Sequence, residues 1–130
     1  MIDLTHASSI GPLITNDETV VRLPADLQSL LLDANGFVIF DGGLHVRGIC
    51  DAPDWHSLER FWIGEYALWR LYPTVRPDDV PFAQDFLGDQ FLLRRGRVIH
   101  LDGEIGSIDE VGLGLNEFLE SAFTNPDDCR

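Results

Sequence analysis

The sequence predicts a single domain of the α+β class. Its length of 130 residues suits one domain, and a hydrophobic fraction of 45% provides enough apolar surface for a core. The predicted segments run in the order helix, strands, helix, hairpin, helix, which favours α+β over a fold of alternating strands and helices. We expect one domain over residues 1–130, with its core at about 20–123 and peripheral segments at 1–19 and 124–130.

The first predicted element is a helix that begins at Pro24 and ends at Asn35-Gly36. Proline is favoured at the first helical position because its missing N–H has no helical partner there. Glycine after the last turn adopts the left-handed conformation that ends a helix. The apolar positions recur at the spacing of one helix face: Leu27, Leu30, Leu31 and Ala34.

Two short strands and a longer helix are predicted next. Residues 37–40 and 44–49 are apolar or alternating, and 41–43 is a turn signal between them. Residues 55–71 place aromatic and aliphatic side chains near one helical stripe, and Asp54 is the expected N-cap. A stripe of this kind is usually core packing.

A β-hairpin is predicted over 90–102, with a tight turn at Arg95-Gly96. The expected cross-strand neighbours are Phe91 and Leu93 on one strand with Ile99 and Leu101 on the other. Residues 103–114 contain four glycines and predict a loop, with or without a short strand. A last helix is predicted over 115–123, with Asn116 as its cap. The residues expected to be buried are Leu30, Leu31, Phe91, Leu93, Ile99, Phe118 and Trp62.

The charge of the chain is unusual. There are 22 acidic and 9 basic side chains, every basic one is arginine, and the formal net charge is −13. Such a chain repels nucleic-acid phosphates and anionic lipid, so we expect neither nucleic acid nor a membrane as a partner. A basic protein would be attracted to it. The alternative is that acidity only keeps the protein in solution, which is the commoner reason in an arbitrary acidic protein.

Cysteine content and the start of the chain favour a cytoplasmic protein. Cys50 and Cys129 do not have the spacing of a disulfide framework or of a zinc site. The first residues lack a basic region followed by a continuous apolar run, so we expect no signal peptide. No apolar stretch has the length of a membrane-spanning helix.

Patterns for catalysis and metal binding are weak. No serine stands in a nucleophile-elbow context, and a phosphate-binding loop is excluded because the chain has no lysine. The best ligand-like set combines alternate positions of one strand with two nearby carboxylates: His100, Asp102, Glu104, Asp85 and Asp89. Gly103 interrupts the strand before Glu104, so we expect no metal and no cofactor. Because no catalytic pattern stands out, we also expect no enzyme activity. A metal- or carboxylate-dependent hydrolase is the least favoured alternative.

Arginines are densest at Arg94-Arg95-Gly96-Arg97. Such a tip can contact phosphate, but in an acidic protein we expect its arginines to pair with the protein's own carboxylates. In the neighbouring loop, Asp85 is expected to accept hydrogen bonds from backbone amides, and Asp89 suits a turn.

Three segments match a known family pattern in order and spacing. They are Leu23-Pro24-Ala25-Asp26-Leu27 with Asn35-Gly36, the stretch from Val80 to Phe91, and the stretch from Val98 to Gly106 with Leu115-Asn116-Glu117-Phe118-Leu119. Over about residues 20–123 the chain resembles the SUKH superfamily, which includes a fungal cell-wall assembly regulator and many bacterial immunity proteins. The resemblance implies a twisted, mostly antiparallel β-sheet flanked by helices. The motif residues that it implies to be architectural are Phe82, Asp85, Gly88, Asp89 and Glu104.

The resemblance also implies a function, which is to bind and neutralise a toxin domain delivered between competing bacteria. Such immunity proteins inhibit by binding and are not enzymes. Their partners include nucleases and deaminases, and a nuclease domain is basic because it binds phosphate. We therefore expect a stoichiometric inhibitor of a basic cognate toxin. The alternative is a cytoplasmic regulatory module that binds a protein other than a toxin.

The expected contact patch gathers carboxylates from residues 78–89 and 102–110. Its members are Asp78, Asp79, Asp85, Asp89, Asp102, Glu104, Asp109 and Glu110. Four of them are preferred as contacts because they lie outside the architectural motif positions: Asp78, Asp79, Asp109 and Glu110.

Overall fold

The structure, a computed structural model, describes residues 9–10, 17–39, 43–50 and 54–124. Within these ranges the strands are β1 (Ser9–Ile10), β2 (Phe37–Ile39), β3 (Leu44–Val46), β4 (Val80–Asp85), β5 (Gln90–Arg94), β6 (Arg97–Leu101) and β7 (Ile108–Gly114). The helices are α1 (Asp17–Val20), α2 (Ala25–Asp33), α3 (Leu58–Trp62), α4 (Leu68–Leu71) and α5 (Leu115–Thr124), and one 3-10 turn covers Asp54–His56.

The sheet is a meander, because each strand pairs with its neighbours in the sequence and every pair is antiparallel. The predicted α+β class is therefore confirmed. The predicted turn between β5 and β6 is also confirmed: Arg95 and Gly96 both have positive φ, at 54° and 78°. This is the conformation that a two-residue hairpin turn requires.

Helices pack on both faces of the sheet. Successive side chains of a strand point to opposite faces, so Phe91 and Leu93 of β5 lie on one side and Leu92 on the other. Phe91 and Leu93 belong to a large apolar cluster that also contains buried residues of α2 and α5. Leu92 belongs to a smaller cluster with Leu68 of α4 and Val75. The sheet thus separates two cores.

The expected core residues are confirmed. All members of the predicted buried set are between 1% and 9% exposed: Leu30, Leu31, Phe91, Leu93, Ile99, Phe118 and Trp62. The predicted apolar face of α2 is buried as well, since Leu27 and Ala34 are also in the core. α2 ends at Asp33, and Ala34 is already extended at φ −149° and ψ 114°. Gly36, with a φ of 81°, therefore lies beyond the helix end that it was predicted to form.

The single helix predicted over 55–71 is wrong. α3 ends at Trp62, and α4 begins only at Leu68. Between them Ile63 is extended, with φ −126° and ψ 136°, and Gly64 has a φ of 98°. Neither conformation continues a right-handed helix. The apolar stripe therefore comes from two short helices joined by a turn.

Helix caps and one strand also differ from expectation. Ser57, not Asp54, caps α3, because its side chain accepts a hydrogen bond from the N–H of Arg60. The glycine-rich segment predicted as a loop contains the seven-residue strand β7. Asn116 lies inside α5, which begins one residue earlier, so it is not the cap.

The register of the β5–β6 hairpin corrects the expected neighbours. Phe91 pairs with His100, and Leu92 pairs with Ile99. Ile99 and Leu101 therefore belong to the smaller core with Leu92. The turn signal at 41–43 and the strand position at 40 lie largely outside the described residues.

Candidate functional site

Two loops lie side by side at one end of the sheet. Loop 86–89 joins β4 to β5, and loop 102–107 joins β6 to β7. Asp89 links them, because its Oδ1 accepts a hydrogen bond from the N–H of Gly103 at 3.0 Å. The packing is close, since a Cβ added to Gly103 would lie 3.0 Å from the carbonyl oxygen of Gly88. We call the surface formed by these two loops and the adjoining strand ends the loop end.

Asp85, at the end of β4, shapes the first loop from inside. Its Oδ1 accepts hydrogen bonds from the N–H groups of Leu87 at 2.9 Å and Asp89 at 3.0 Å, which confirms the expected bonding to backbone amides. Its Oδ2 is buried and has no hydrogen-bond partner among the described residues. Burial raises the pKa of the Asp85 carboxyl group above its usual value, against the opposing effect of the two backbone hydrogen bonds.

His100 on β6 connects the two sides of the loop end. Its Nε2 lies 3.1 Å from Oδ2 of Asp89, and its Nδ1 lies 4.0 Å from Oδ2 of Asp109. Asp85, Asp89 and His100 each offer one ligand-type atom, and these atoms lie within 4.8 Å of one another. The structure thus brings together three members of the ligand-like set that the sequence suggested.

Asp102 and Glu104, the other members of that set, have different positions. Oδ1 of Asp102 accepts hydrogen bonds from the N–H groups of Glu104 at 2.9 Å and Ile105 at 3.1 Å, which fixes the turn after β6. β6 ends at Leu101, so Glu104 does not share a strand face with His100. Glu104 is exposed to solvent.

Exposed apolar side chains project from the same two loops. Phe86 is 57% exposed and Leu87 is 65% exposed on the first loop, and Ile105 is 75% exposed on the second. The exposed carboxylates of Glu104 and Asp109 lie on the second loop and at the start of β7. An apolar centre with a charged rim is typical of protein-binding surfaces. Sequence reasoning missed the three apolar residues, although their position in glycine-containing turns was the available signal.

Two acidic residues of the expected contact patch are buried, so that expectation is wrong for Asp79 and Asp85. They are 2% and 3% exposed. Asp79 forms an ion pair with Arg94, with 2.6 Å between Oδ2 and Nη2, and the same oxygen accepts a hydrogen bond from the N–H of Arg76. A buried and paired carboxylate belongs to the fold and is not available to another chain.

The other acidic residues of the patch do not form one surface. Asp89, Asp102, Glu104 and Asp109 belong to the loop end, where the first two are half-buried. Asp78 is exposed but precedes β4, at the opposite end of that strand. Glu110 lines a cleft that is also away from the loop end.

Arginines gather around this cleft, which has a volume of about 290 Å³. Its charged lining is Arg76, Arg94, Arg95, Arg97 and Glu110. The expected pairing of hairpin arginines with carboxylates is confirmed for Arg94, which binds Asp79. Arg97 instead donates a hydrogen bond to the backbone carbonyl of Gly112 at 2.7 Å. The two ends of strands β5–β7 therefore carry charge of opposite sign.

Arg47, which sequence reasoning also missed, is fully buried beside β3. Its guanidinium donates to the carbonyl of Pro81 at 2.9 Å, to Oε1 of Gln84 at 2.8 Å and to Oε1 of Gln90 at 2.6 Å. It also lies 4.1 Å from the ring centre of Phe61. Burial lowers the pKa of Arg47 to about 9, so the side chain stays charged at neutral pH. Its role is to tie β3 to β4 and β5.

A histidine pair lies next to it. Nε2 of His56 is 2.8 Å from the carbonyl oxygen of Asn35, so this nitrogen carries the proton and donates it. Nδ1 of His56 then accepts from Nε2 of His45 at 2.8 Å. Burial, followed by the electrostatic effects of His56 and Arg47, lowers the pKa of His45 from 6.5 to about 3. Because His45 is neutral at physiological pH, we assign the pair a structural role.

Comparisons of the chain with protein-family models, with curated proteins and with solved structures found no match. In the described ranges, no helix has the length and apolar character needed to cross a membrane.

Proposed function

We propose that this protein is an immunity protein, a stoichiometric inhibitor that binds a basic toxin domain through the loop end. The supporting observation is the combination of exposed apolar and acidic side chains on two joined loops, in a chain of net charge −13. The proposal follows the function implied by the SUKH resemblance. It moves the contact surface from the dispersed acidic patch to the loop end.

The apolar side chains of the loop end supply the affinity. Phe86, Leu87 and Ile105 are each more than half exposed in the free protein. Full burial of such a side chain contributes about 1.5–3 kcal/mol relative to leaving it in water. A few central apolar anchors carry most of the energy in protein interfaces, while the surrounding contacts exclude water. Three anchors on linked loops are sufficient for such a centre.

The carboxylates of the loop end increase the rate of association and the selectivity for a basic partner. Glu104 precedes Ile105 on the second loop, Asp109 lies at the start of β7, and both face solvent. Charge complementarity accelerates encounter with a basic partner and disfavours acidic ones, while exposed rim charges contribute little to affinity itself. A toxin domain that binds nucleic-acid phosphate is basic, so this distribution suits a nuclease partner.

The test is rescue of growth in cells that express the toxin domain encoded beside this chain's gene. Leu87→Ser removes one anchor, and Leu32→Ser is a matched control because Leu32 is 68% exposed on α2 and Leu87 is 65% exposed. We expect the wild type and Leu32→Ser to restore growth and to co-purify with the toxin as a one-to-one complex. We expect Leu87→Ser to bind about tenfold more weakly, which corresponds to about 1.4 kcal/mol.

Two results would count against the proposal. Equal binding by the wild type and Leu87→Ser would place the contact surface elsewhere on the molecule. A neighbouring gene product that binds the loop end but is harmless to cells would contradict the immunity function.

A further inference from the structure

One buried oxygen at the loop end has no hydrogen-bond partner among the residues that the structure describes. Asp85 is 3% exposed, its Oδ1 is occupied by two backbone N–H groups, and its Oδ2 makes no hydrogen bond within the described residues. A buried carboxylate oxygen that has lost water without gaining a partner is costly. A bound cation would remove this cost.

The neighbouring atoms have the spacing of ligands around one ion. Nε2 of His100 and Oδ2 of Asp89 are 3.1 Å apart, and the ligand-type atom of Asp85 lies within 4.8 Å of both. Two ligand atoms that are each about 2.1 Å from a metal ion are about 3.0–3.4 Å apart at ordinary bond angles.

The two carboxylates of the set are held in place by backbone N–H groups behind them. Oδ1 of Asp85 accepts from the N–H groups of Leu87 and Asp89, and Oδ1 of Asp89 accepts from the N–H of Gly103. Nδ1 of His100 lies 4.0 Å from Oδ2 of Asp109. Metal ligands are commonly oriented in this way by carboxylates and backbone groups behind them.

We propose that Asp85, Asp89 and His100 bind one divalent first-row metal ion, Zn²⁺ in preference to Mn²⁺. Three protein ligands with a fourth position open to water are typical of accessible Zn²⁺ sites. A nitrogen and two carboxylates accept either ion, and such sets bind Zn²⁺ more tightly than Mn²⁺. The side chains of His100 and Asp89 are 25% and 21% exposed, which leaves a path for the ion.

This site reverses the expectation of no metal. That expectation took His100, Asp102 and Glu104 of one strand as the centre of the set and Asp85 and Asp89 as additions, and it rejected the set because Gly103 separates His100 from Glu104. The three ligands come instead from β4, loop 86–89 and β6. An ion at this position joins these elements and holds the loop end in one conformation. The site does not depend on toxin binding, because all its ligands belong to this chain.

The test is calorimetric titration of the metal-free, full-length protein with Zn²⁺ and, separately, with Mn²⁺. We expect one ion per chain, with tighter binding of Zn²⁺. Because Mn²⁺ is paramagnetic, it should also broaden the ring NMR signals of His100 before those of His45. Bound Zn²⁺ should raise the thermal midpoint as its concentration increases.

Two variants and one control locate the site. Asp85→Asn keeps the oxygen that accepts the loop hydrogen bonds, and His100→Gln keeps a polar side chain on β6. Each should weaken Zn²⁺ binding by more than about 100-fold, because even loss of an outer partner costs roughly 10–100-fold. Glu104→Gln removes an exposed carboxylate of the same surface and should leave the affinity within about twofold of wild type.

Absence of one-to-one binding of both ions up to about 1 mM would overturn the proposal. Unchanged Zn²⁺ affinity in His100→Gln would also overturn the proposal. This variant decides the question if circular dichroism shows that Asp85→Asn does not fold. Growth rescue by a protein that binds no metal would overturn the metal site and leave the proposed function intact. Metal binding by a protein that does not rescue growth would leave the metal site intact and contradict the proposed immunity function.

Discussion

At the residue scale, buried polar groups hold the centre of the sheet. Arg47, beside β3, donates hydrogen bonds to the amide oxygens of Gln84 and Gln90. His45 and His56 form a hydrogen-bonded pair beside it. Each of these groups has partners from distant parts of the chain. Removing one partner would leave the others buried without a hydrogen bond, which costs more than the bond itself contributes.

The lowered pKa of His45 predicts acid sensitivity. In the unfolded chain His45 takes up a proton near its usual pKa of 6.5, whereas in the folded protein it does so only near pH 3. The unfolded state therefore binds more protons in this range, and stability falls as the pH decreases below about 6.5. The slope from this one group is at most about 1.4 kcal/mol per pH unit.

Urea unfolding of the wild type and of His45→Gln checks this expectation. Glutamine can still donate to Nδ1 of His56, but it does not titrate. Between ~pH 6.5 and ~pH 5, where most carboxylates are still ionised, we expect a shallower loss of stability in the variant. Parallel curves for the two proteins would show that His45 is not the group responsible.

The sequence predicted side-chain contacts correctly where the hydrogen-bond partner is close in the sequence. Bonding of Asp85 to the amides of its own loop was predictable, because an aspartate before a turn bonds backbone two residues ahead. The ion pair of Asp79 with Arg94 and the burial of Arg47 depend on strands that meet only after folding. Local pattern carries no information about such contacts, so Asp79 was wrongly placed among the exposed acids.

At the element scale, the spacing of apolar residues in α2 predicts which face of the helix is buried. Leu31 is 1% exposed in the large core, while the adjacent Leu32 is 68% exposed. We expect Leu31→Ala to lower the free energy of unfolding by about 2–5 kcal/mol, through lost burial and the cavity left behind. Leu32→Ala, the matched control, should change it by less than about 0.5 kcal/mol. If chemical denaturation showed a similar loss of unfolding free energy in Leu31→Ala and Leu32→Ala, the assigned buried face would be wrong.

Glycines lie at the two elements whose extent differs most from the sequence-based prediction. The apolar stripe of residues 55–71 continued past Gly64, but α3 ends at Trp62, and neither the extended Ile63 nor Gly64, at a φ of 98°, continues it. In β7 the reverse occurs. The glycines suggested a loop, with or without a short strand, whereas Ile108, Val111 and Leu113 pack against the two cores in a seven-residue strand. Gly112 has a φ of 82° near an irregularity in the pairing of β6 with β7. Here tertiary contacts outweigh local propensity.

At the scale of the whole molecule, charge is separated along the sheet. The loop end exposes Glu104 and Asp109, while the cleft at the other end of β5–β7 is lined by four of the arginines. The net charge was readable from composition, but its distribution was not, because the hairpin places arginines and loop carboxylates at opposite ends. A basic partner is therefore attracted to the whole molecule and oriented toward the loop end.

The rate of association with the neighbouring toxin domain tests this central claim most directly. Stopped-flow mixing across a salt series should compare the wild type with Glu104→Lys and with Glu65→Lys. Both positions are exposed, and both changes reduce the net negative charge equally. Association of the wild type should slow steeply as ionic strength rises through about 0.15 M, with little change in dissociation. Glu104→Lys should be slower than Glu65→Lys at low salt, whereas a rate independent of salt, or equal rates for the two variants, would contradict recognition through the loop end.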